Sequence, residues 1–142
     1  MRIAIASDHA GFALKAALAA DLLGQGRSVL DLGPDSAEVP VDYPDYGRRC
    51  AELVASGGAE RGVLVCGSGI GMSIAANRVP GARCALVHDH LSARLAREHN
   101  DANIIAFGGR LIGLETARDA LATFLATGFA GGRHAARVAK LG

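Results

Sequence analysis

Short apolar runs recur along this chain, separated by longer stretches in which apolar residues return every three or four positions. The runs occupy residues 2–6 (RIAIA), 28–32 (SVLDL), 62–66 (GVLVC), 84–88 (CALVH) and 103–107 (NIIAF). Several are apolar without strict alternation, the pattern of strands covered on both faces of a parallel sheet. The stretches between them carry helical spacing. Leu14, Leu18 and Leu22 form one stripe over residues 11–23, and Leu114, Ala117, Leu121, Phe124 and Leu125 form another over 113–126. Further helices are expected near 44–56, 70–77 and 90–98, and a last one over about 132–141, opened by Gly131-Gly132. This alternation predicts a three-layer α/β/α sandwich around a five-stranded, mostly parallel sheet.

Composition narrows the picture without changing it. A chain of 142 residues is one ordinary domain, and no repeat, low-complexity segment or linker divides residues 1–142. Half the residues are hydrophobic but aromatics are scarce and Trp is absent, so the core is built from Ala, Val, Leu and Ile. A formal net charge of +1 argues against a nucleic-acid or membrane-surface binder, which would carry an excess of basic residues. Cys50, Cys66 and Cys84 are an odd count with no CxxC pair, so neither a disulfide framework nor a zinc ribbon is indicated. No signal peptide is read at the start, and Lys15 and Asp21 break the Ala-rich stretch well short of a membrane span. A reducing cytoplasm is the expected setting. The longest irregular piece, residues 33–43 (GPDSAEVPVDY), is a candidate active-site loop.

Open α/β sheets bind ligands at the carboxyl ends of their strands, so the residues that follow each run carry the chemistry. After the third run, residues 63–73 read VLVCGSGIGMS. A dinucleotide fingerprint G-x-G-x-x-G fails here in both registers, because its third position falls on Met72 or Ile74. A Walker A loop needs a lysine that is missing. A cysteine phosphatase loop needs Arg where Met72 stands. What survives is a strand end feeding a glycine-rich turn into a helix N-terminus. Its exposed amides and the helix dipole suit an anion, whether phosphate or a transient oxyanion, and favour a thiolate at Cys66. An isolated buried cysteine is ordinarily packing material. Three glycines at a ligand-binding edge shift the balance toward chemistry.

Other clusters carry two readings each. His99 and Asn100 end a helix just before the run that leads to Gly108-Gly109-Arg110, which fits either a site or a helix cap. Arg133 and Arg137 share a helix face at i, i+4, either as a phosphate clamp or as a solvated basic face. Asp8 and His9 follow the first run, where Asp8 serves equally as an N-cap. His88-Asp89-His90 invites a metal, but adjacent residues in a turn rarely converge on one ion and no further ligand stands at helical spacing. No metal site is assigned. Cys50 and Cys84 are read as core.

Five segments taken together, SDHAG (7–11), DYP (42–44), CGSGIGMSIAANR (66–78), EHNDANIIAFGGR (98–110) and GGRHAARV (131–138), resemble the ribose-5-phosphate isomerase B family, which also holds galactose-6-phosphate and allose-6-phosphate isomerases. The likeness runs nearly end to end and in order. It implies a Rossmann-like fold and an aldose–ketose isomerase that needs no metal or other cofactor. It also implies a homodimer, in some members a homotetramer, with sites at the subunit interface and a phosphorylated sugar as substrate. On the matching positions, Cys66 is the base that moves a proton between C1 and C2, since Met72-Ser73 stand where some members carry a glutamate base. Ser68 assists at the substrate oxygens, and the amides of Gly67, Ser68, Gly69, Ile70 and Gly71 hold the enediolate. His99 opens the furanose ring. Asp8, Tyr43 and Asn100 contact sugar hydroxyls. His9, Arg110, Arg133 and Arg137 form the phosphate site, with His134 nearby. Ribose 5-phosphate is the leading substrate, and a tetrose 4-phosphate, allose 6-phosphate or galactose 6-phosphate is the alternative. A non-catalytic sugar-phosphate sensor is the rival of another class, and it would have no need of a base.

Overall fold

A computed structural model describes all 142 residues. Five strands, β1 (Arg2–Ser7), β2 (Ser28–Asp31), β3 (Arg61–Cys66), β4 (Cys84–Leu86) and β5 (Ile104–Gly108), form a single sheet of order β2-β1-β3-β5-β4. Every pairing is parallel, so the expected mostly parallel sheet is wholly so. Six helices surround it: α1 (Phe12–Gly24), α2 (Tyr43–Ala55), α3 (Ile70–Asn77), α4 (His90–Asn100), α5 (Leu114–Ala126) and α6 (Arg133–Ala139).

The period of two along each strand divides the core. Ile3, Ile5, Val63, Val65, Ile105 and Phe107 face Leu18, Leu22, Ala93, Leu121 and Phe124, on the side covered by α1, α4 and α5. Ala4, Ala6, Leu64, Cys66 and Ala106 face Cys50, Ala51, Val54, Met72 and Ala76, on the side covered by α2 and α3. Right-handed crossovers dictate this split. Steps toward the β2 edge place a helix on one face, and steps toward the β4 edge place it on the other.

Strand β4 ends at Leu86 rather than at the expected His88. Val87 still donates to the Ala106 carbonyl at 3.1 Å, but the chain then turns to start α4. Asp89 caps that helix, its Oδ1 accepting from the Ser92 amide at 2.7 Å, and bonds to Ser92 hold its carboxyl below the usual carboxylate range. The His-Asp-His triplet is thus a helix start. The exposed edge at β4 is closed locally by Asn77, whose side-chain amide donates to the Cys84 carbonyl at 3.0 Å and accepts from the Cys84 amide at 2.8 Å.

For the site, what matters is where the chain reverses its winding. It leaves β1 through α1 on one face and β3 through α3 on the other. The loops after β1 and β3 therefore diverge and open a crevice at the carboxyl ends of these strands.

Candidate active site

The crevice is a cavity of about 560 Å³. Asp8, His9, Tyr43, Cys66, Gly67, Ser68, Ile70, Gly71 and Arg110 line it, drawn from the turns after β1, β3 and β5 and from the start of α2. Ala10, Ile74 and Leu111 complete the wall. Sequence reasoning passed over these three, and only their nearness to Asp8-His9, to the glycine loop and to Arg110 would have marked them.

Cys66 is the last residue of β3 and is 5 % exposed. Its sulfur accepts the Gly69 N–H at 3.1 Å, and the Ser68 hydroxyl oxygen accepts the Ile70 N–H at 3.2 Å. Gly69 caps α3 at φ 77°, in the left-handed region. A β-carbon there would also lie 2.6 Å from Leu86 Cδ1 and 2.8 Å from the carbonyl carbon of Phe107. Only glycine fits, and its conformation turns the amide back onto the thiol. Gly71 serves a different need. A β-carbon on it would stand 2.5 Å from Tyr43 Cε1, so the bare backbone lets the tyrosine ring lie against the loop.

Across the crevice, Asp8 is nearly buried, and its Oδ1 accepts the Gly11 N–H at 2.9 Å just before α1. The expected N-cap role does not hold, because Gly11 caps α1 and no side chain bonds its first turn. Asp8 instead closes the turn ahead of the helix and has a place on the cavity wall. His9 accepts the Val41 N–H on Nδ1 at 3.1 Å, which ties the 33–43 loop to the site. Tyr43 is the first residue of α2 rather than the end of that loop. Arg110 donates its backbone N–H to the Gly67 carbonyl at 2.9 Å, and its Nη1 lies 3.3 Å from where a Gly67 β-carbon would be. Arg110 therefore lies over the glycine loop, apart from the other two arginines of the expected phosphate site.

His99, Asn100, Arg133, His134 and Arg137 form a second group. Helix α4 runs antiparallel to the strands, so its last turn, with His99 and Asn100, lies at their amino ends, across the sheet from Cys66. Helix α6 packs against α4, and the His99 and His134 rings stack with centroids 4.2 Å apart and planes at 16°. Desolvation, and then the charges of His99, Arg133 and Arg137, hold His134 below the ordinary imidazole value. The turn beneath His99 is fixed by Arg97, nearly buried. Its Nη1 donates to Asp101 Oδ1 at 2.9 Å and its Nε to the Thr127 carbonyl at 3.1 Å. Asn100 borders a different cavity, shared with Asn77, Arg83, Cys84 and Leu141.

Among the other thiols, burial pushes Cys50 up to about 12, and Cys84 is likewise pushed up by burial. No three His, Cys, Asp or Glu side chains gather where they could hold a metal ion. No helix is long and apolar enough to cross a membrane.

Comparison with known proteins gives consistent matches over nearly the whole chain. A family model described as Ribose/Galactose Isomerase matches residues 3–141. The chain is 44% identical over 137 residues to ribose-5-phosphate isomerase B of Escherichia coli, covering 96% of this chain and 91% of that one. It is 41% identical over 143 residues to D-erythrulose-4-phosphate isomerase of Pectobacterium atrosepticum, covering 100% of this chain and 93% of that one. Among solved structures, ribose-5-phosphate isomerase B of Clostridium thermocellum superposes with a TM-score of 0.98 at 51% identity, covering 100% of this chain and 95% of that one.

Proposed function

The chain belongs to the ribose/galactose isomerase family and is a sugar phosphate isomerase, and we propose that it interconverts D-ribose 5-phosphate and D-ribulose 5-phosphate through a cis-enediolate. The observation that carries this reading is a thiol at the edge of an open cavity with a backbone amide aimed at its sulfur. The E. coli and C. thermocellum relatives bear the pentose name.

In this reading Cys66, as thiolate, removes the C2 proton of the open-chain aldose and returns it to C1. O2 loses its proton and O1 gains one, with Ser68 relaying between them. The amides of Gly69 and Ile70 are engaged at the Cys66 sulfur and the Ser68 hydroxyl, so those of Gly67, Ser68 and Gly71 remain for the negative oxygens. Preorganised donors of this kind each contribute about 10²–10³-fold when the charge develops. Asp8 and Tyr43 contact sugar hydroxyls, and His9 and Arg110 meet the phosphate.

The second group completes the site from a second copy of the chain. His99 opens the furanose, Asn100 holds a hydroxyl, and Arg133 and Arg137 clamp the phosphate, with His134 packed on His99. Two features support a two-fold dimer. Helix α6 has no buried residue of its own, and Tyr43, Ile70, Ile74 and Leu111 leave an exposed apolar rim around the Cys66 cavity. In an isologous dimer the amino-edge group of each copy faces the carboxyl-edge cavity of the other.

The P. atrosepticum relative favours a second substrate reading, the same proton shift on a tetrose 4-phosphate. A panel of aldose phosphates with four, five and six carbons, each followed by direct detection of the ketose, decides between them. The highest kcat/KM is expected for ribose 5-phosphate. A higher value for erythrose 4-phosphate would transfer the assignment to the tetrose. Binding without turnover on any of them would make the protein a sensor.

A further inference from the structure

We infer that the Val41 backbone amide fixes the tautomer of His9, which makes the loop between β2 and α2 a positioning element for the substrate's anionic group. The inference rests on the reading of His9 as a phosphate contact and adds how that contact is made. The Val41 N–H donates to His9 Nδ1 at 3.1 Å. An imidazole nitrogen that accepts a hydrogen bond carries no proton, so the proton of the neutral ring stands on Nε2. With Nδ1 committed to the loop, Nε2–H is the polar atom His9 has left for the cavity it lines. His9 is thereby a donor to an anion. It is not a second base competing with Cys66.

The loop that supplies the amide is anchored from the interior. Lys15 lies in the buried part of α1, with its side chain 2 % exposed, where an aliphatic residue would satisfy packing. Its ammonium donates to Asp31 Oδ1 at 2.8 Å and to the Pro34 carbonyl at 2.8 Å. Asp31 Oδ1 also accepts the Gly33 N–H at 2.9 Å, and the Gly33 carbonyl accepts from Ser7 at 3.1 Å. The loop's first residues are thus bound to β1 and α1, and its last residues run into α2. Val41, between these two anchors, is held where its N–H meets His9. Lys15 and Val41 are positioning residues that act through His9.

Two measurements on the full-length protein test this. In histidine-labelled protein at about pH 8, above the ordinary imidazole value of about 6.5, nitrogen NMR is expected to show His9 as the Nε2–H tautomer. The His9 signals are identified by their loss in His9→Gln. Val41→Pro deletes the donor and is expected to give a mixture of tautomers. A wild-type Nδ1–H signal would overturn the inference. The second measurement is independent of whether Val41→Pro folds. Glutamine places a polar atom near the ε position and asparagine near the δ position. His9→Asn is therefore expected to lose about tenfold more kcat/KM than His9→Gln, the weight of one hydrogen bond to a charged group. Equal losses, or a smaller one for Asn, would overturn the donor geometry. Wild-type kcat/KM in both variants would instead overturn the phosphate contact itself, whatever tautomer the spectrum shows.

Discussion

The amide of Gly69 reaches the sulfur of Cys66 at 3.1 Å, three residues on from the strand end that carries the thiol. The bond places a fixed partial positive charge beside the atom that, in the proposed mechanism, holds a negative one while it waits for the substrate proton. Replacing Cys66 with alanine removes the proposed base and leaves the cavity walls. Cys66→Ala is expected to lose at least the ~10²–10⁴-fold typical of a positioned acid–base group, while calorimetry still detects sugar-phosphate binding. Turnover at the wild-type rate would remove Cys66 from the mechanism.

Gly69 itself is predicted to be intolerant. Gly69→Ala meets both a left-handed backbone, a strain of about 1–3 kcal/mol, and a collision with Leu86 and the Phe107 backbone. A clear fall in the urea midpoint is expected, together with loss of activity as the amide leaves the thiol. Gly24→Ala is the control, because nothing lies within 4 Å of the added carbon at the end of α1. Its midpoint should stay level or rise. Equal midpoints for the two variants would show that the loop after β3 yields without cost.

The three thiols should separate by reactivity. Cys50 is fully buried and its thiol is pushed up to about 12, and burial pushes Cys84 up as well, so neither forms thiolate near neutral pH. Cys66 lines the open cavity and accepts an amide. Iodoacetamide on the native protein at about pH 8, near the ordinary thiol value of about 8.5, is expected to add one group per chain, on Cys66. Protection by a sugar phosphate should slow it. Mass spectrometry that finds Cys50 or Cys84 modified first would contradict this ordering.

Much of the architecture can be read from the order of residues, for physical reasons that also mark where the reading stops. Strands covered on both faces write unbroken apolar runs, so β1, β3 and β5 stand out at once. The short edge strand β4 is found as well, but its end is not. Its run continues into Val87 and His88, and only the cap at Asp89 shows where pairing ends. The glycine loop was legible because its spacing excluded the nucleotide motifs, and Cys66, Gly67, Ser68, Ile70 and Gly71 do line one cavity, while Gly69 is turned onto the Cys66 sulfur instead. The sheet order β2-β1-β3-β5-β4 was not legible, since crossovers that skip a strand leave no local trace. His99 and Asn100, by contrast, end a helix that leads into a parallel strand, and that order alone puts them at the amino ends of the strands, opposite Cys66. Lys15 left a fainter signal, a charge three residues before Leu18 and seven before Leu22, on the buried side of α1. A lysine on an apolar stripe asks for a buried partner, and Asp31 with Pro34 is the answer.

The separation of the two residue groups makes a prediction that a single-chain site would not. Cys66 lies at the carboxyl edge of the sheet and His99 beyond its amino edge, with the 11 residues of α4 between the strand ends, about 16 Å at 1.5 Å per residue. One pentose phosphate cannot touch both in the same chain. If each site takes Cys66 from one copy and His99 from the other, Cys66→Ala and His99→Asn are both impaired as pure dimers. When the two variants are denatured together in equal amounts and refolded, half of the dimers are mixed. In each mixed dimer both defects fall in one site and the other site is intact. Activity on ribose 5-phosphate should then recover to about a quarter of the wild-type value per chain, above either pure variant. Differently tagged chains allow the mixed dimer to be isolated, where the figure should rise to about half. A tag-purified mixed dimer no more active than the better of the two pure variants would place Cys66 and His99 in the service of the same chain.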